Sequence, residues 1–96
     1  MPIVDRITGR HNALEIVLVD GHLAARRYLV VGRVEHGRDV VSAELGEGPV
    51  EEIPLPLSAR DATRWLYQHF QDLTPVQFRA AVARLTRPVD VGGELA

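Results

Sequence analysis

In the first half of the chain, apolar positions fall in short β-branched stretches broken by Gly, Asn and Asp; in the second half they recur every three or four residues. The first pattern fits strands, the second helices that bury one side. Residues 3–8 (IVDRIT) and 13–19 (ALEIVLV) read as strands joined by a turn at 9–12. Asp20-Gly21 is the strongest hairpin signal, because a type I′ turn needs positive φ at both central positions. A long extended stretch, 22–35, follows, then a second two-residue turn at His36-Gly37, and 38–45 (RDVVSAEL) pairs back across it. The GEGP loop at 46–49 breaks the sheet, and 50–53 adds a short edge strand. The prolines in 53–57 (IPLPL) make that segment a stiff, extended connector from sheet to helix.

Ser58 with Asp61 forms a helix start, and the spacing of Ala62, Trp65, Leu66, His69 and Phe70 predicts a buried stripe on a helix over 59–71. Thr74, Pro75 and Gln77 make a stronger start: a cap, a proline at the first helical position and a glutamine at the third. That helix runs to about 86, with Phe78, Ala81, Val82 and Leu85 inward, and Arg87-Pro88 stops it. The expected fold is α+β: a four-stranded antiparallel β-meander with a short fifth edge strand, followed by two α-helices packed on one face. Residues 1–88 make a single domain, and 89–96 (VDVGGELA) a flexible tail.

Pairing across the two turns sets Glu15 opposite Arg26 and Glu35 opposite Arg38, each an opposite-charge pair. The two-residue period then gathers Leu14, Ile16, Leu18, Leu23 and Ala25 on one face, and Tyr28, Val30, Val34, Val41, Ala43 and Leu45 in the core of the second hairpin. The long strand changes parity between 25 and 28, which calls for an extra residue, a bulge, around Arg26-Arg27-Tyr28. The opposite face is also apolar: Val17, Val19, Ala24, Leu29, Val31 and Val40. Antiparallel sheets normally keep one solvated face, so a contiguous apolar outer face marks an interface.

Composition narrows the function classes. The 96 residues are 46% hydrophobic and 25% charged, with no Cys. Disulfides and thiolate chemistry are excluded, and with no apolar leader in MPIVDRIT the expected setting is cytoplasmic, away from membranes. All 11 basic residues are Arg, so Schiff-base and phosphate-loop lysines are excluded too. The histidines (His11, His22, His36, His69) have no metal-ligand spacing, and neither Ser42 nor Ser58 lies in a nucleophile elbow. No catalytic residue, metal or cofactor is expected. The reading that remains is a small non-catalytic protein-interaction module, self-associating as a homodimer through its outer sheet face or binding a larger protein partner. The alternative is nucleic-acid binding through Arg26, Arg27 and Arg33 on the sheet and Arg64, Arg79 and Arg84 on the helices. Charge gives that alternative a location: residues 1–57 carry six Arg and nine acidic residues, whereas 58–88 carry five Arg and two acidic residues.

Overall fold

The computed structural model describes residues 3–37 and 39–88, which form five strands and two helices. The strands are β1 (Ile3–Thr8), β2 (Asn12–Val19), β3 (His22–His36), β4 (Asp39–Leu45) and β5 (Glu51–Pro54). All pairings are antiparallel, in the order β1-β2-β3-β4, with β5 also on β3. The helices α1 (Ala59–His69) and α2 (Pro75–Thr86) follow, so the expected α+β meander is the fold. The tail at 89–96 and the Glu35–Arg38 pair lie outside the described residues.

The first hairpin follows its sequence signal. Asp20 and Gly21 both take positive φ (50° and 80°), and the β2–β3 ladder runs unbroken from Val19↔His22 to Asn12↔Leu29, with Glu15 opposite Arg26. The expected bulge at 26–28 is therefore absent. The parity change falls later, where β3 has outrun β2 and pairs with β4. There the register skips Val31 on β3 and, further along, Val41 on β4. The second turn is also displaced by one residue. His36 is itself paired, with Asp39, so the turn begins after it, at Gly37, where glycine takes the left-handed conformation (φ 63°). Val40 then stands opposite Glu35.

These shifts overturn the expected core of the second hairpin. Val34 and Val41 are exposed, and Tyr28 pairs with Ala13 on the side of β2 opposite Leu14. The cause is coverage. The buried cluster joins Leu14 and Ala25 of the sheet to Ala62, Trp65, Leu66, Phe70, Ala81 and Leu85 of the helices. Beyond Leu29, β3 has no β2 residue beside it, and it continues with β4 as a two-stranded ribbon. The ribbon is tied to the β1–β2 turn by Arg10 Nε to Glu35 (2.7 Å) and Arg33 Nη1 to the Arg10 carbonyl (3.4 Å).

β5 continues along the same edge of β3 as β4, one residue later than expected. The loop between them keeps two backbone bonds to β3, Gly46 N to Leu29 O (2.9 Å) and Val50 N to Arg27 O (2.8 Å). From the end of β5 onward, Ile53, Leu55 and Leu57 pack against the cluster while the intervening prolines face out. Leu57 N donates to the Leu85 carbonyl (2.9 Å), docking the connector on α2. α1 ends at His69 rather than 71, with Phe70 as its C-cap, whose N–H closes the last turn on the Leu66 carbonyl.

Both helix starts form as their sequences require. Ser58 Oγ accepts from Asp61 N (3.1 Å). At α2 the box is reciprocal: Gln77 N donates to Thr74 Oγ1 (3.2 Å) and Thr74 N to Gln77 Oε1 (3.0 Å). Thr74→Ala is expected to lower unfolding free energy by about 1 kcal/mol. Urea titration checks it, and an unmoved midpoint would show that solvent caps α2 equally well.

Candidate functional site

The six residues expected on the outer face separate into three groups. Val17 and Ala24 are cross-strand partners with Val19 beside them, but Val17 is only 2% exposed, so this part of the face is already closed within one chain. Leu29 pairs with Asn12 and by alternation shares the side of Leu23 and Ala25, the side the helices cover further along. Val31 and Val40 belong to the ribbon. Val40 is partly buried across an open cleft from Thr8, Arg10 and Pro75. At the root of the ribbon Leu29, and along it Val31, Val34 and Val41, are 47, 64, 61 and 63% exposed. Sequence reasoning placed Val34 and Val41 in the core. The skipped residues at 31 and 41 reassign them; alternation along β3 requires a change of parity but does not locate it.

The arginines proposed for nucleic acid are mostly committed elsewhere. Arg26 Nε lies 2.5 Å from Glu52, Arg27 Nε 3.1 Å from Glu51, Arg33 Nε 3.2 Å from Glu35, and Arg84 Nε 2.9 Å from Asp5. A guanidinium already holding a carboxylate has fewer donors and less net charge to offer a phosphate. Arg64 and Arg79 stand exposed on the helices with no ion-pair partner among the described residues.

A polar cluster at the sheet–helix seam went unseen in the sequence, although Trp65 and His69 were on the expected stripe. Glu51 Oε1 accepts from Trp65 Nε1 (3.0 Å) and Arg27 Nε (3.1 Å). Arg27 Nη1 also donates to Asn12 Oδ1 (2.8 Å), and Asn12 Nδ2 to the His69 carbonyl (2.8 Å). The His69 ring packs edge-on against Trp65, centroids 5.6 Å apart. Burial alone pushes the Glu51 carboxyl up, but hydrogen bonds from Trp65 and Arg27, with the charges of Arg27 and His69, hold it below its ordinary value. Burial, then repulsion from Arg27, pushes His69 down against the pull of Glu51, favouring the neutral ring. His69 Nε2 is 3.7 Å from Glu51, beyond hydrogen-bond range. The cluster therefore works as a seam that locks α1 to β3 and β5.

Among the described residues, no buried side-chain nitrogen or oxygen lacks a partner, and no group of three His, Cys, Asp or Glu is arranged to hold a metal ion. No described helix is long and apolar enough to cross a membrane. Comparison with known protein families, characterised proteins and solved structures finds nothing that matches this chain.

Proposed function

We propose that this chain is a small, non-catalytic protein-interaction module that pairs with a second copy through its β3–β4 ribbon. The observation that carries the reading is the exposure of Val31, Val34 and Val41 on a two-stranded ribbon that the helices do not cover. Two strands standing alone are marginal in water, and a partner supplies the burial they lack. The ribbon also ends the sheet: the outer edge of β4 has no neighbour among the described strands, and no proline or lysine blunts it. Two-fold symmetry makes such an element complementary to itself without any new sequence feature.

Light scattering at micromolar concentration should give the mass of a dimer. Val34→Asp, placing a charge at an exposed position, should split it while far-ultraviolet circular dichroism stays unchanged. A monodisperse monomer at millimolar concentration would overturn the proposal. Nucleic-acid binding is the second reading, favoured by Arg64 and Arg79, which have no ion-pair partner among the described residues. It requires a mobility shift that weakens with salt and that Arg64→Glu removes.

A further inference from the structure

The ends of the two helices carry a second surface, remote in sequence from the ribbon. Between the last turn of α1 and the first turn of α2 lies an open groove of about 520 Å³, with Phe70, Leu73, Pro75 and Phe78 along it and Tyr67 and Arg79 among its walls. That volume is in the range of small-ligand and side-chain pockets. Tyr67 is 62% exposed, yet its ring is held against Phe78 with centroids 4.9 Å apart, so the wall is aromatic and ordered by packing.

Charge is distributed around this groove in a way that contrasts with the rest of the molecule. On the sheet, Arg6, Arg10, Arg26, Arg27 and Arg33 each stand against a glutamate. On the helices, Arg60, Arg64 and Arg79 have no carboxylate within ion-pair distance among the described residues. Arg60, Arg64 and Tyr67 are spaced four and three apart, so they form one stripe along α1 that leads into the groove. Arg79 stands on the other wall. Of the two acidic residues in this half, Asp61 sits in the first turn of α1, at the far end from the groove, and Asp72 accepts the Arg10 N–H (2.5 Å).

We propose that this groove docks a short acidic peptide, with an apolar side chain seated against Phe70, Leu73 and Phe78 and flanking carboxylates held by Arg64 and Arg79. An apolar socket with Arg79 on its wall and Arg64 one helical turn before Tyr67 suits a segment that offers both features at once: the socket supplies burial and the arginines supply bidentate carboxylate contacts. A bare phosphate backbone would leave the socket empty. The site is independent of self-association, because it shares no residue with the ribbon.

The test is amide nuclear magnetic resonance on the full chain, titrated with a peptide bearing a central Leu-Phe pair between glutamate triplets. The controls are the same peptide with lysine for glutamate, the same peptide with alanine for Leu-Phe, and a single-stranded oligonucleotide. Shifts should centre on Tyr67, Leu73, Phe78 and Arg79. Both control peptides and Arg79→Glu should weaken binding about tenfold or more. Because Arg79 is exposed, that variant keeps its fold, which circular dichroism verifies. No shift at about 1 mM peptide would overturn the proposal, since binding that weak is below any specific contact. So would equal binding of the alanine peptide, which would reduce the effect to charge alone, or preferential binding of the oligonucleotide.

Discussion

Trp65→Ala is expected to cost about 3–5 kcal/mol of unfolding free energy. A domain of this size has about 5–15 kcal/mol in all, so the variant should be largely unfolded in mild denaturant and marginal without it. The loss has two parts. The indole is buried in the cluster that joins sheet to helices, stacked at a tilt on Phe70 with centroids 5.5 Å apart, and its removal leaves a cavity between layers. Its Nε1 also donates to Glu51, a carboxylate that Arg27 alone would then have to satisfy. Trp65→Phe separates the parts: it keeps most of the packing and loses the donor, and should cost about 1–2 kcal/mol. Urea titration of both variants reads the difference. A Trp65→Ala protein as stable as the parent would mean that the helix layer is held by α2 alone.

How far the chain reveals itself depends on how local each decision is. The helix starts are set within four residues, by Ser58 with Asp61 and Thr74 with Gln77, and they form as written. Asp20-Gly21 fixes a turn and, through it, the whole β2–β3 register. The connector is equally local, because proline at alternate positions forces extension and leaves Ile53, Leu55 and Leu57 to face inward. The ribbon is different. Alternation along β3 shows that parity must change but not where, and the change sits where one neighbouring strand ends and another takes over. That is a property of strand lengths: β3 has 15 residues and β2 has 8, so half of β3 cannot share the cover that β2 shares. That difference in length is what leaves Val34 and Val41 outside the core. The seam cluster was out of reach for another reason. Asn12, Arg27, Glu51 and Trp65 come from four different elements, and only the packed fold brings them within hydrogen-bond distance.

That seam sets the second large effect, which is acid sensitivity. His69 has an ordinary value of 6.5 and is held lower in the folded protein by burial and by Arg27. The unfolded chain therefore binds this proton first, and stability falls as pH drops from about 6.5 toward the depressed folded value. Glu51 has an ordinary value of 4.5 and is also held lower, because hydrogen bonds from Trp65 and Arg27 outweigh its burial. Its contribution is present above about 4.5 and is lost as pH falls through its folded value. Both groups act in the same direction, so unfolding free energy plotted against pH should descend in two stages, one beginning near pH 6.5 and a second beginning near 4.5. His69→Gln should remove the first stage. Glu51→Gln should remove the second and, at pH 7, leave Arg27 without its counter-charge. Glu51→Ala goes further: it leaves both the Trp65 N–H and Arg27 without their acceptor and should cost about 1–3 kcal/mol at pH 7. Urea titrations at intervals between pH 3 and 8 measure all four curves. A parent profile flat down to pH 4, or a His69→Gln profile that still descends from 6.5, would show that the seam is not where the protein senses acid.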